Sequence, residues 1–174
     1  DVPEIISGAI TTAIEDIEYS YDVDAVDIDG DILSYYLLSN PDAMQINQST
    51  GLIKWIPANE DVGVHNITIG VSDYNVTIYH SFNINVENVN DAPNIISAPN
   101  TTAIEDLRYV YDVEAVDDDK DVLNYSLPVA PEGMSINHLT GLIEWTPENQ
   151  NVGFNNVTVK VSDSKYSKNQ SFAI

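Results

Sequence analysis

Two stretches decide the fold, Asn66-Ile67-Thr68-Ile69-Gly70-Val71 and Ser81-Phe82-Asn83-Ile84-Asn85-Val86. In both, apolar residues alternate with small or polar ones, and most of the apolar residues are β-branched. A period of two places successive side chains on opposite faces of an extended chain. Both stretches are therefore predicted to be β-strands that bury one face.

Turn-forming residues separate further segments of this kind at positions 28–31, 40–42, 50–51 and 61–63. About seven short strands in roughly 90 residues, with no helical periodicity, are typical of a Greek-key β-sandwich. The chain is therefore predicted to be all-β. The residues expected between the two sheets are Tyr35, Met44, Trp55, Phe82, Tyr125, Met134, Trp145 and Phe172.

The chain repeats itself with a period of 90 residues. When residue n is aligned with residue n + 90, 44 of the 84 positions from Asp1/Asp91 to Ile84/Ile174 are identical. We expect two tandem β-sandwich domains, 1–90 and 91–174, with a linker at about 87–93. The last strand of the second copy is expected to be truncated, as in a piece of a longer array.

Composition limits the function. The chain has 28 acidic and 6 basic residues, a net charge of -22 and no cysteine. This charge disfavours nucleic acid and anionic lipid, and the missing cysteines exclude disulfides and thiolate metal sites. No apolar stretch is long enough for direct insertion into a membrane. Cations are the expected partners.

The acidic residues recur at the same places in both copies. The clusters of the first copy are Glu15-Asp16, Asp27-Ile28-Asp29-Gly30-Asp31, Asp73 and the segment Glu87-Asn88-Val89-Asn90-Asp91. Carboxylate, amide and carbonyl oxygens are the ligands that calcium prefers. An EF-hand loop beginning at Asp27 is excluded, because such a loop needs glycine at its sixth position and glutamate at its twelfth. Here the glycine is the fourth residue of the loop and the twelfth residue is Leu38. Solvated turn residues or a high-salt adaptation remain alternatives.

The order of the shared motifs resembles the cadherin superfamily. That order is Glu-Asp, then AVD-x-D, TGLI, VSD, and V-E-N-V-N-D-A-P at 86–93. It is most similar to the dystroglycan-type cadherin-like, Ig-like tandem repeats of microbial surface proteins. The resemblance covers nearly the whole chain. It implies an extracellular module at the cell surface, with neighbouring repeats of the same array as partners.

The resemblance also implies calcium between successive domains. The ligands it implies at the complete junction are Glu15, Glu87, Asn88, Asn90, Asp91, Asp117, Asp119 and Asp163, with Asp16 as a weaker candidate. A half-site facing a preceding domain would use Asp27, Asp29 and Asp73. The acidic L-D-R-E segment of cadherins is absent and the linker is one residue shorter, so one or two ions are expected rather than three.

Other features support an extracellular address without pointing to catalysis. Seven Asn-x-Ser/Thr sequons predict a glycoprotein if the host glycosylates surface proteins; they begin at Asn47, Asn66, Asn75, Asn100, Asn124, Asn156 and Asn169. None of the histidines, His65, His80 and His138, recurs in the other copy, and no nucleophile elbow or phosphate loop is present. The chain is therefore not expected to be an enzyme.

Two classes of function remain open. The first is a structural and adhesive module of a tandem array, either stiffened by calcium or acting as a calcium-independent spacer. The second is an accessory module of a large secreted enzyme that binds carbohydrate or protein. Cell-surface proteins and glycans are candidate partners. A group of exposed aromatic residues on one sheet face would favour the second class, with Tyr74, Tyr79 and Tyr166 as candidates.

Overall fold

The computed structural model describes residues 1–174 and divides them into two compact units, Asp1–Val89 and Asn90–Ile174. Its only helical segments are 3₁₀ turns at Asn59–Asp61 and Asn149–Asn151, one in each unit. No helix in the chain is long enough to cross a membrane. The all-β prediction is confirmed.

The first unit contains nine strands. They are β1 Glu4–Ile5, β2 Thr12–Ile14, β3 Tyr19–Asp22, β4 Ala25–Val26, β5 Ser34–Ser39, β6 Gln45–Ile46, β7 Leu52–Trp55, β8 Gly63–Ser72 and β9 Thr77–Glu87. They form a four-stranded sheet in the order β2-β9-β8-β5, a three-stranded sheet β3-β7-β6 and the pair β1-β4. The count exceeds the seven expected because three of the strands are only two residues long.

The second unit contains eight strands. They are β10 Asn94–Ile95, β11 Tyr109–Asp112, β12 Ala115–Val116, β13 Asn124–Val129, β14 Ser135–Ile136, β15 Leu142–Trp145, β16 Asn156–Ser162 and β17 Ser167–Ala173. Their sheets are β13-β16-β17, β11-β15-β14 and β10-β12. Residues 102–105, which correspond to β2 and Glu15, form no strand here.

Each unit has its own core between its two larger sheets. In the first unit, one sheet contributes the fully buried side chains of Ile67, Ile69 and Ile84 to the core. The other sheet contributes Trp55, whose side chain is 2% exposed. The alternation in β8 and β9 therefore does bury one face. All eight predicted core residues are buried or packed against the core cluster of their own unit.

The TGLI motif has a steric explanation. Gly51 has a φ of +79°, and a Cβ at this position would lie 2.5 Å from the carbonyl oxygen of Val23. Gly141 repeats this relation with Val113. Only glycine tolerates such a φ together with so close a backbone approach, so the motif fixes the turn into β7 and β15.

Candidate metal centres

An aspartate loop lies between β4 and β5. The carboxylates of Asp27, Asp29 and Asp31 offer oxygen atoms that all lie within 4.8 Å of one another. The backbone N–H of Asp29 donates to Asp27 Oδ1 at 2.8 Å, and that of Gly30 donates to the Asp27 carbonyl at 3.2 Å. These bonds curl the loop around Asp27, so the three alternate carboxylates converge.

The second unit repeats this loop between β12 and β13. Asp117, Asp119 and Asp121 again offer carboxylate oxygens within 4.8 Å of one another. Lys120 stands where the first loop has glycine and adopts the same left-handed conformation, with a φ of +63°. The loop geometry therefore survives a change of residue at its tightest point.

Several oxygens of these loops are buried without a donor. Asp27 Oδ2, Asp117 Oδ2 and Asp119 Oδ1 are inaccessible to solvent and accept no hydrogen bond. An unsatisfied buried carboxylate oxygen is unfavourable, and neighbouring carboxylates repel one another. A hard divalent cation held by these oxygens would remove both penalties, so the donor set fits calcium.

Further predicted ligands surround the second loop. The backbone N–H of Asp91 donates to Asp119 Oδ2 at 2.6 Å. The side-chain amide of Asn90 donates to Asp163 Oδ2 at 2.8 Å and to the Asp91 carbonyl at 2.7 Å. The amide oxygen of Asn90 is not used in these bonds. Asn90, Asp91, Asp119 and Asp163 thus form one hydrogen-bonded network beside Asp117.

Asp73 and Asp163 occupy equivalent hairpin turns, between β8 and β9 and between β16 and β17. Both residues are buried, at 5% and 4% exposure. Hydrogen bonds from backbone N–H groups, that of Val76 first, hold the pKa of Asp73 below its ordinary value. Burial raises the pKa of Asp163, but hydrogen bonds from the Tyr166 backbone and the Asn90 side chain outweigh it and lower this pKa. Both groups are therefore carboxylates at neutral pH.

Glu15 is the most buried acidic residue, with no exposed surface. Strand β2 runs parallel to the end of β9, and the Glu15 N–H donates to the carbonyl of Glu87 at 3.0 Å. Glu15 Oε2 accepts from the N–H of Val89 at 2.9 Å, whereas Oε1 is buried without a partner. Its equivalent in the second unit, Glu105, is exposed.

The structure divides the predicted ligands between the units. Asn90, Asp91, Asp117, Asp119 and Asp163 belong to the second unit; Glu15, Glu87 and Asn88 belong to the first, as do Asp27, Asp29 and Asp73. Asp16 is exposed, and its backbone adopts the left-handed conformation. Its N–H donates to the Pro57 carbonyl. The sequence prediction did not name Asp31 and Asp121 as candidate ligands, although they complete the two clusters of converging carboxylates and the D-x-D-x-D spacing was a signal for both.

Known structures share this fold. The chain resembles human protocadherin-24 EC1-2 with a TM-score of 0.60 and 21% identity, covering 100% of this chain and 95% of that one. It resembles Drosophila N-cadherin EC1-4 with a TM-score of 0.60 and 14% identity over 99% of this chain and 48% of that one. These likenesses concern the fold.

The same fold occurs inside a larger enzyme. An endo-fucoidan hydrolase from glycoside hydrolase family 107 matches with a TM-score of 0.50 and 23% identity. The match covers 99% of this chain but only 28% of the hydrolase chain. None of the curated proteins compared with the chain matches it.

A family model described as "Putative Ig domain", He_PIG, matches the chain twice, at residues 3–87 and 92–174. The two matches fall on the two β-sandwich units, and the likeness to cadherin repeats supports the predicted resemblance. The chain therefore belongs to the He_PIG family of Ig-like domains, as a tandem pair of cadherin-like modules.

Proposed function

We propose that this chain is an extracellular structural and adhesive module of a tandem repeat array, and that its aspartate loops bind calcium. The observation that carries the proposal is the presence, in both units, of converging carboxylates with buried oxygens that accept no hydrogen bond. In the second unit the ion would be held by Asp117, Asp119 and Asp121, with oxygens of Asn90, Asp91 and Asp163 within the same network.

The chemistry of the site is electrostatic. When bound, calcium would neutralise the mutual repulsion of the loop carboxylates and replace their missing hydrogen-bond donors. Backbone hydrogen bonds orient the carboxylates of the site before any ion binds. Two backbone N–H groups donate to Asp163, and the N–H of Asp91 donates to Asp119. The proposed role is non-catalytic.

Calorimetric titration of calcium into the metal-free chain tests this proposal. Extracellular calcium modules commonly bind with Kd values of about 10⁻⁴ to 10⁻³ M, and we expect this range. The variant Asp117→Asn/Asp119→Asn should lose the site of the second unit, whereas Asp118→Asn, an exposed neighbour outside the cluster, should keep it. Absence of calcium heat in the unmodified chain would leave the acids as solvated turn residues.

The role of Glu15, Glu87 and Asn88 as calcium ligands stays a prediction. Glu15 is a suitable candidate because one of its buried oxygens has no partner. The variant Glu15→Gln removes its charge with little change of shape. A lower calcium affinity in this variant would assign Glu15 to the ligand set, and an unchanged affinity would exclude it.

Adhesion has its own test. Beads coated with the chain should aggregate in calcium and disperse in chelator if the array adheres through like copies. If calcium binds but the beads never aggregate, the module acts as a spacer or adheres to a different surface partner.

The second candidate function is that of an accessory module of a secreted enzyme. It is favoured by the fold shared with part of the hydrolase chain and by the tyrosines Tyr36 and Tyr79 on the outer sheet face of the first unit.

A further inference from the structure

The outer face of the four-stranded sheet in the first unit carries two tyrosines in one row. Tyr36 of β5 pairs with Gly70 of β8, and Gly70 pairs with Tyr79 of β9. A Cβ on Gly70 would lie 2.4 Å from Cε2 and 2.5 Å from Cζ of Tyr36. The Tyr36 ring therefore lies over Gly70 and extends along the row towards Tyr79.

The two tyrosines form an aromatic strip along one row of the sheet. The outer strands β5 and β9 flank β8, so their backbones are about 9 to 10 Å apart. The neighbouring Tyr36 side chain raises the pKa of Tyr79, so the two phenol groups are close enough to interact. Covering of a glycine by an aromatic ring is a known device of β-sheets and explains Tyr36 alone. It does not explain Tyr79, which is 61% exposed.

Polar rows border the aromatic strip on both sides. On one side Ser72 pairs with Thr77, and on the other Thr68 pairs with Ser81. The hydroxyls of Thr68 and Ser81 lie 2.9 Å apart, and each can still accept or donate a further hydrogen bond. The strip is thus an apolar surface between rows of hydroxyl groups.

The positions that surround the strip also lack charge. The outward positions of β8 and β9 around the strip hold Asn66, Thr68, Ser72, Thr77, Ser81 and Asn83. None carries an ionisable group, in a chain whose net charge is -22. Such a face offers neither attraction for a polyanion nor a counter-charge for a cation. It suits a neutral ligand with one apolar face and a polar rim.

We propose that Tyr36, Gly70 and Tyr79 form a binding platform for a neutral oligosaccharide of pyranose rings. The C–H face of a sugar ring would stack on the tyrosines, and its hydroxyl groups would bond to the bordering Ser and Thr side chains. Tyr79 and Tyr36 are the binding residues. Gly70 is a positioning residue, because any larger side chain would displace the Tyr36 ring.

The second unit supplies a natural control. The equivalent row pairs Ser126 with Lys160 and Lys160 with Asn169. The bordering pair Thr158 and Ser171 is retained, with hydroxyls again 2.9 Å apart. The second unit therefore has the hydroxyl row without the aromatic strip, and it is not expected to bind sugar.

The test is calorimetric titration of the full chain with cellohexaose, mannohexaose and xylohexaose, with sulfated fucoidan as the anionic comparison. We expect at least one neutral hexaose to bind at one site per chain, and about tenfold weaker binding in Tyr36→Ala, Tyr79→Ala and Gly70→Val. The triple variant Ser126→Tyr/Lys160→Gly/Asn169→Tyr should raise the stoichiometry to two. Calcium titration and thermal unfolding of Tyr79→Ala should match those of the unmodified chain.

Several results would overturn the sugar-binding platform. Failure of all three hexaoses to bind, binding of fucoidan alone, or binding that survives Tyr79→Ala would overturn the platform. Self-association of the chain that Tyr79→Ala abolishes would also overturn it, in favour of a protein contact. None of these results depends on the aspartate loops, so the calcium proposal stands or fails separately.

Discussion

Neutralising one carboxylate of the second aspartate loop should stabilise the metal-free protein. Asp119 Oδ2 accepts from the Asp91 N–H, and its Oδ1 is buried without a donor beside Asp117 and Asp121. In Asp119→Asn the amide oxygen can keep the bond to Asp91, and the amide N–H₂ can donate to a neighbouring carboxylate. The substitution therefore removes a repulsion and adds a hydrogen bond.

The magnitude follows from the separation of the charges. Carboxylate oxygens in the loop lie within 4.8 Å of one another. Unit charges at this distance repel by about 0.9 kcal/mol in bulk water and by about 3.5 kcal/mol at an effective dielectric constant of about 20. Because Asp121 is exposed, the lower figure is the better guide. We expect a gain of about 1 kcal/mol, or about 4 to 8 °C in Tm for a domain of this size.

Calcium should reverse the order of stability. A ligand at a hundredfold excess over Kd stabilises the folded state by about 2.7 kcal/mol, and Asp119→Asn should lose most of this gain. Differential scanning calorimetry in chelator and in calcium measures both effects on the full chain. Asp118→Asn makes the same charge change outside the cluster and should shift neither Tm by more than about 2 °C. If Asp119→Asn lowered the Tm in chelator as much as in calcium, the reasoning about an uncompensated loop would be wrong.

Three further predictions concern the two units. Trp145→Ala should lower the free energy of unfolding of its unit by about 3 to 5 kcal/mol in chemical denaturation, since this side chain is 3% exposed in the core. Gly141→Ala should destabilise the same unit by more than about 2 kcal/mol, because its Cβ would approach the Val113 carbonyl at 2.5 Å; an unchanged midpoint in urea would refute this. The folded pKa of Asp73 lies below its unfolded value, so its stabilisation is present above the unfolded pKa and is lost as the pH falls through the folded one. Acid titration of Asp73→Asn should therefore show a shallower loss of stability below about pH 4 than the unmodified chain.

The buried faces could be predicted because they depend on local periodicity. The alternation in β8 and β9 predicted that one face of each strand is buried, and Ile67, Ile69 and Ile84 on these faces are fully buried. The two tryptophans were predicted from the same reasoning and are almost fully buried. Residues that alternate along one strand need no knowledge of their neighbours to be assigned to a face.

The positions of the candidate ligand-binding side chains depend on pairing between distant segments. Tyr35 was predicted to be a core residue, but nothing in the sequence placed its neighbour Tyr36 beside Tyr79. The platform appears only when the register places Tyr36 and Tyr79 on either side of Gly70. The burial of Glu15 likewise requires the parallel pairing of β2 with β9, which connects segments more than 70 residues apart. Such contacts are not encoded in local spacing.

The two repeats retain different parts of themselves, and this separates the two proposed functions. The aspartate loop, the hairpin aspartate and the glycine of TGLI occur at equivalent positions in both units. The tyrosine row occurs in one, with Ser126, Lys160 and Asn169 in the other. The proposed calcium binding is then a property of each module and suits a role repeated along an array, whereas the proposed sugar binding belongs to a single module. One array could therefore combine a uniform, cation-dependent framework with recognition surfaces placed on selected repeats.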